Sequence, residues 1–323
     1  MEAGTPIRIP VALRHEQPHH EGFLVVNWCL GNSCNYACSY CPEVLHDASV
    51  PWVPLEVVTK FCDRVLKHYR GKADRPVYFE FTGGEVSHNK DFISILKYLK
   101  ERDVWTGMIS NGSKALTWWE KAKPYLDHAC FSFHPESAKP DHFKKVIGFL
   151  NDSVTLHVNV MMLPEKFEEC LELAKWVEHE TENVTVAIQP LLKDFSDEMY
   201  SYTPEQKKRL ENQIFNIRFN KPLKTYRGRM VKVFEDGSTE TLSGPELIAK
   251  RENRWAGWHC RAGLDELVVD FHGDIYRGWC LEGGRVGNVK METIRFPEAP
   301  VLCQRDFCHC VLDVMNERSW AGA

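Results

Sequence analysis

Between residues 23 and 192, short apolar runs of strand length alternate with stretches of helical periodicity. This alternation limits the possible folds more than any other feature of the chain. The runs FLVVNWC (23–29), PVYFEFTGGE (76–85), VWTGMISNG (104–112), HACFSFHPE (128–136), SVTLHVNVMML (153–163) and NVTVAIQPLL (183–192) are rich in β-branched and aromatic residues. Helical spacing appears in PLEVVTKFCDRVLKHY (54–69), with proline at its first turn, and in KDFISILKYLKERD (90–103). Further helices fit over 140–150 and 165–180. Strands that alternate with helices indicate a parallel sheet with right-handed crossovers. Six such units fall short of the eight of a closed barrel. The expected fold is therefore α/β, a partial (β/α)6 barrel of parallel strands. In parallel sheets, function collects at the carboxyl ends of the strands. A cysteine-rich loop, TGGE, SNGS and SFHPE all fall at such ends.

The pattern changes after residue 195. Residues 204–218 read as a helix, and MVKVFEDGSTETLS (230–243) as a hairpin turning at Asp236-Gly237. GPELIAKREN (244–253) reads as a short helix, and WHCRAGLDELVVDFHGDIYRGWC (258–280) as a second hairpin turning at His272-Gly273. The expected organisation is an N-terminal extension (1–22), the barrel (23–200), a linker of helix and hairpin (201–254) and a small α+β cysteine-rich region (255–323). There is no internal repeat and no low-complexity segment.

A length of 323 residues suits one large α/β domain with a smaller second one. The hydrophobic share of 43% and charged share of 26% are those of an ordinary globular protein. A net charge of −5 argues against nucleic acid as a partner held by bulk attraction. The N-terminus has no apolar core of a secretory signal. No run approaches the roughly 18 apolar residues of a membrane helix. A cytoplasmic protein without a membrane partner is expected.

The twelve cysteines fall in two groups with isolated members between. Cys29, Cys34, Cys38 and Cys41 lie early; Cys260, Cys280, Cys303, Cys308 and Cys310 lie late. Cys62, Cys130 and Cys170 stand alone in apolar contexts and read as buried free thiols. A secreted disulfide scaffold would be shorter, and clustered thiols in a reducing compartment read as metal ligands. CNYACSYC (34–41) offers three thiolates at close spacing. Three thiolates can close around an iron–sulfur cluster. A four-iron cluster would then keep one iron free of protein sulfur, an open position for a substrate or cofactor. The alternative is a structural zinc site, which Cys29 or His46 would have to complete.

CNYACSYC, with its aromatic before the third cysteine, resembles the CxxxCxxC signature of the radical SAM enzymes. The resemblance implies a 4Fe–4S cluster held by Cys34, Cys38 and Cys41, with S-adenosylmethionine (SAM) chelating the open iron. One electron, from a flavodoxin or ferredoxin, would then cleave SAM to a 5′-deoxyadenosyl radical that abstracts a substrate hydrogen atom. Tyr40 matches the family's adenine-contacting aromatic. TGGE (82–85) resembles the family's GGE motif, in which Gly83 and Gly84 let the backbone approach the methionyl ammonium and Glu85 adds charge complementarity. Ser110, Asn111 and Ser132 occupy strand ends where the family places ribose and carboxylate contacts, and Asn159 is a further candidate. Turn capping explains Asn111-Gly112 as well.

The late cysteines resemble the SPASM or twitch extension of that family, with GDIYRGWC followed by GRVGNV and CQRDFCHC. This implies an auxiliary 4Fe–4S cluster held by four of Cys260, Cys280, Cys303, Cys308 and Cys310. Cys260, Cys280, Cys308 and Cys310 form the preferred set, with Cys303 as substitute. The alternative is a zinc clamp. His134 and Glu136 are candidates for a catalytic base, against turn or capping roles.

Residues 207–232 carry a basic run: Lys207, Lys208, Arg209, Arg218, Lys221, Lys224, Arg227, Arg229 and Lys232. It reads as a solvated face or a grip on an anionic substrate. RWAGW (254–258) reads as packing rather than a cavity wall. The implied activity is a net oxidation or C–H functionalisation of a small molecule. A maturase that crosslinks or epimerises a ribosomal peptide is the alternative, so a short peptide is the alternative partner. A leader-recognition domain ahead of the barrel is not expected, since the first barrel strand begins near residue 23. A non-catalytic zinc or iron–sulfur protein is the third reading.

Overall fold

In the computed structural model, which describes residues 8–17, 23–71, 75–181, 184–193, 198–213 and 228–322, the six expected strands form and lie side by side in sequence order. The chain opens with β1 (Pro10–His15) and then enters the barrel with β2 (Leu24–Cys29) and helix α1 (Leu55–Arg70). There follow β3 (Val77–Thr82), α2 (Phe92–Lys100), β4 (Trp105–Ser110), α3 (Leu116–Ala122), β5 (His128–Phe133), α4 (Pro140–Leu150), β6 (Thr155–Met162), α5 (Phe167–Glu180) and β7 (Val184–Pro190). After α6 (Pro204–Gln213) come β8 (Arg229–Phe234), β9 (Thr239–Ser243), α7 (Gly244–Ala249), β10 (Trp258–Cys260), β11 (Glu266–Val269), β12 (Asp274–Tyr276), β13 (Arg285–Asn288), β14 (Val301–Leu302) and β15 (Arg318–Trp320).

Strands β2 to β7 pair in parallel, each with the next. Helix α1 shows how the outer layer forms. Pro54 precedes it, and Val58, Phe61, Cys62, Val65 and Tyr69 recur three or four residues apart and face the sheet. Trp28 meets Phe61 edge to face at 5.0 Å, and Trp119 meets Phe131 at 5.2 Å. All four belong to the main core between sheet and helices. The two faces of the sheet differ. Along β6 the residues alternate: Leu156, Val158, Val160 and Met162 are buried against the helices, while Thr155, His157, Asn159 and Met161 are half-buried on the other face. Along β6 the face away from the helices is thus polar and partly open.

Three features depart from the sequence expectation. The sheet has nine strands, in the order β13-β12-β11-β2-β3-β4-β5-β6-β7. Strand β11 adds to the β2 edge in parallel, with Glu266 opposite Val25 and Val269 opposite Trp28. The second hairpin is β11–β12 alone; β10 belongs to the other sheet. Between β10 and β11 the chain turns at Gly263, whose φ of +85° favours glycine. The second sheet has the order β14-β10-β15-β1-β8-β9, and its pairs are antiparallel. Strand β1, expected in an extension ahead of the barrel, lies in the middle of this sheet, paired with β15 and β8. The hairpin at Asp236-Gly237 forms as expected. Ser243 closes α7 with a capping box, accepting from the Glu246 N–H while the Glu246 carboxylate accepts from the Ser243 N–H. Trp255 and Trp258 pack into the second core, so the packing reading of RWAGW holds. The expected helix over 204–218 is present through Gln213, and its last residues lie outside the described ones.

Candidate active site

The carboxyl ends of β2, β3, β4, β5 and β11 converge on a cavity of about 300 Å³. Cys34, Cys38 and Cys41 line it, with Gly83, Gly84 and Glu85 after β3, Ser110 and Asn111 after β4, and Ser132 and His134 from β5. Cys29 and His46 line it too, and His46 Nδ1 is buried with no hydrogen-bond partner among the described residues. Phe271, from the turn after β11, closes one side.

The cysteine loop is held from below by the glycine turn. Gly83 and Gly84 have φ of +93° and +52°. A Cβ on Gly83 would lie 2.5 Å from the Gly31 carbonyl oxygen, and one on Gly84 would lie 2.1 Å from that of Ser33. The Glu85 N–H donates to the Ser33 carbonyl at 2.8 Å. The glycines therefore serve a close approach within the protein, between the turn and the cysteine loop. Glu85 is fully buried. Its carboxylate accepts from the Ser87 N–H (3.1 Å), the Ser110 hydroxyl (2.9 Å) and the Asn111 N–H (2.6 Å). Burial pushes its pKa up, and these donors oppose the shift. Glu85 thus ties the end of β3 to the end of β4.

The loop is held from above by β5. Glu136 accepts from the Ser39 N–H at 2.8 Å and the Ser39 hydroxyl at 2.5 Å. The Tyr40 hydroxyl lies 2.9 Å from His134 Nδ1, and the two rings stack at 5.9 Å. Burial drives the His134 pKa down to about 4, so the imidazole is neutral near pH 7 and Nδ1 can accept the Tyr40 proton. Both residues considered as a base are thus engaged with the cysteine loop. Tyr40 itself is 5% exposed, packed with Cys38, Leu163 and Leu191, and presents a ring face to His134. Asn111 Nδ2 donates to Asn35 Oδ1 at 2.9 Å and lies 3.9 Å from Cys34 Sγ. Asn159 stands apart from the cavity wall. It joins a polar set on the open face of β6, with His157 Nε2 at 3.0 Å, Gln189 Nε2 at 3.1 Å and Cys130 Sγ at 3.3 Å.

Burial raises the pKa of all three loop thiols, that of Cys38 to about 12. Ligation must therefore displace protons, which a cationic metal centre does. Among the described residues no three His, Cys, Asp or Glu side chains converge to hold one ion. The three sulfur donors open onto one cavity, and soft thiolates suit iron–sulfur as well as zinc centres.

Of the late cysteines, Cys260 lies in β10, Cys280 follows β12, and Cys303, Cys308 and Cys310 follow β14. Cys260, Cys303 and Cys308 are buried, and Cys280 and Cys310 half-buried. Cys260 lies in β10 directly opposite Arg318 of β15. The Asp313 carboxylate accepts from the Trp279 N–H at 2.9 Å and the Cys280 N–H at 2.6 Å. Burial pushes the thiols of Cys280 and Cys310 up to about 12 and raises that of Cys260. Cys62 and Cys170 are buried in the main core, and Cys130 is buried within β5.

Of the basic run, Arg209 pairs with Glu168 at 3.0 Å, and buried Lys232 pairs with Glu240 at 3.2 Å and with Glu252. Arg218, Lys221, Lys224 and Arg227 lie outside the described residues. No helix among the described residues is long and apolar enough to cross a membrane. Sequence reasoning missed Phe271. Its only signal was a place just before His272-Gly273, and its relation to the cavity depends on β11 docking beside β2.

The fold and site together are a partial parallel α/β barrel with three loop thiols over a glycine turn. The family model of the Radical SAM superfamily matches residues 28–206, more than half of the chain, and the protein belongs to that superfamily. No protein of curated function gives a significant match. Among solved structures, the chain is similar to Streptococcus suis SuiB, at 14% identity and a TM-score of 0.50, covering 86% of this chain and 64% of that one. SuiB bound to S-adenosylmethionine matches at 16% identity and 0.50, covering 85% and 63%. SuiB bound to the precursor peptide SuiA matches at 14% and 0.50, covering 84% and 64%. At these identities the likeness is one of fold, and the chain spans less than two thirds of SuiB's length.

Proposed function

We propose that Cys34, Cys38 and Cys41 hold a 4Fe–4S cluster and that the cavity beside them binds SAM. The observation that carries this reading is the convergence of the three thiols, the glycine turn and the ends of β4 and β5 on one cavity. Such a cluster, reduced by a flavodoxin or ferredoxin, supplies the electron that cleaves SAM to methionine and a 5′-deoxyadenosyl radical, which takes a hydrogen atom from substrate. The chain's own residues prepare the site. The glycine turn and Glu85 support the loop from one side. Tyr40, His134, Ser39 and Glu136 clamp it from the other, in positioning roles that replace the base considered for His134 and Glu136. Asn111 fixes Asn35 beside Cys34. The backbone at Gly83 and Gly84, with Ser110 and Ser132, presents polar groups to the ligand. The half-buried polar face of β6 faces the substrate.

The C-terminal thiols hold a second, fully ligated 4Fe–4S cluster in this reading, and the net reaction is an oxidation. Cys260, Cys280, Cys308 and Cys310, with Cys303 as substitute, would hold that cluster, and it would supply an acceptor for the one electron that leaves with a proton after substrate has given up a hydrogen atom. The substrate is a small molecule. A second reading, a modified peptide, is favoured by the fold likeness to SuiB in its complex with SuiA.

The test is anaerobic reconstitution, reduction with dithionite and addition of SAM. The expected products are methionine and 5′-deoxyadenosine; S-adenosylhomocysteine without 5′-deoxyadenosine would overturn the reading. Deuterated cell extract, separated into small-molecule and peptide fractions, then distinguishes the substrates. Deuterium should enter 5′-deoxyadenosine with the small-molecule fraction, and entry with the peptide fraction alone would favour the maturase.

A further inference from the structure

Arg318 is a buried cation in an unusual setting. It lies in β15, is 4% exposed, and faces Cys260 across the strand pair. One terminal nitrogen donates to the carbonyls of Val314 (2.9 Å) and Asn316 (2.5 Å). The other donates to the Asp313 carbonyl at 2.5 Å and lies 3.6 Å from Cys308 Sγ. The guanidinium also sits over the Trp255 ring at 5.1 Å. Its Nε–H is buried with no acceptor among the described residues. None of these partners is an ion-paired carboxylate. A guanidinium stays charged at any ordinary pH. The buried carboxylates of Asp313 and Glu266 act on this cation, as do Cys260, Cys303 and Cys308. The Nε–H still lacks an acceptor among the described residues, and one terminal nitrogen approaches Cys308 Sγ. An anionic, thiolate-ligated cluster held here would therefore find a hydrogen-bond donor and a fixed cation at its edge.

We propose that Arg318 donates a hydrogen bond to the auxiliary cluster, sets a fixed positive charge beside it and so raises its reduction potential, which equips it to accept the second electron removed from substrate. This rests on the reading that the late cysteines hold a cluster. The physical reason is that reduction adds negative charge, which a fixed cation in a low-dielectric interior stabilises; hydrogen bonds to cluster sulfurs act in the same direction. Arg318 does not line the cavity beside the cysteine loop, so it is a positioning residue whose signature is a potential.

The experiment uses the full chain with Cys34, Cys38 and Cys41 changed to alanine, reconstituted anaerobically so that only the late site can load. Iron content and the midpoint of an EPR-monitored potentiometric titration are measured with Arg318, Arg318→Lys and Arg318→Met. The parent should hold about four irons. The Met variant should show a more negative midpoint at the same iron content, and the Lys variant, which keeps the charge but loses the Nε–H, should fall between. A Met variant with full iron and an unchanged midpoint overturns the proposal. If the Met variant does not load iron, the Lys variant decides, and an unchanged midpoint there overturns it. A parent that binds no iron overturns the auxiliary-cluster reading itself, a result distinct from either.

Discussion

Gly84 shows how one residue can be fixed by contact rather than by ligand. Its φ of +52° and the Ser33 carbonyl 2.1 Å from a built Cβ leave no room for a side chain. Gly84→Ala should destabilise by more than about 1 kcal/mol in a denaturant titration and lower the iron held by the N-terminal loop. Gly148 is the control. It lies exposed within α4 with nothing within 4 Å of a built Cβ. Gly148→Ala should stabilise by about 0.5–1 kcal/mol and leave iron content unchanged. His134 makes a pH-dependent prediction. Its pKa falls from 6.5 to about 4 on folding, chiefly through burial. Between these values the unfolded chain binds the proton and the folded chain does not, so stability rises with pH across that window. The metal-free protein should lose up to about 3 kcal/mol as pH drops from 6.5 to 4, and His134→Phe should flatten that part of the profile. A profile equally steep in the variant would assign the loss to other groups.

At the scale of elements, strands formed where alternation and β-branched residues marked them, and helices where apolar residues recurred every three or four positions. β6 is the clearest case, with its buried and half-buried residues in strict alternation. What each element pairs with was less legible. Strand β1 gave no sign of its partners, because PVALRH lacks a turn that would bring a neighbour beside it. Its role is nevertheless structural. Leu13 is 1% exposed and packs in the second core with Cys303 and Cys308. Leu13→Ala should cost about 2–5 kcal/mol and loosen the late thiols. The measurement is denaturation together with iron retained by the protein lacking Cys34, Cys38 and Cys41. Iron retention equal to the parent's would show that β1 is dispensable to that group.

For the whole molecule, the decisive contact is β11 beside β2. It brings the C-terminal region to the rim of the cavity, which Phe271 lines together with Cys29. Removing that apolar wall with Phe271→Ala should weaken SAM binding about tenfold while leaving iron content intact. Equilibrium binding of SAM to the reconstituted protein tests it, and unchanged affinity would remove Phe271 from the site. The sequence by itself determined the parallel barrel and the three-thiol loop, together with the glycine turn after β3. Each is written in residues close along the chain, where spacing, turn chemistry and periodicity act locally. Only the tertiary structure decided that β1 lies inside the second sheet, that β10 and β11 part company at Gly263, and that Arg318 lies buried across from Cys260. These are choices of partner between segments distant in sequence. They are settled by which faces bury best against one another, and local propensity carries no record of that competition.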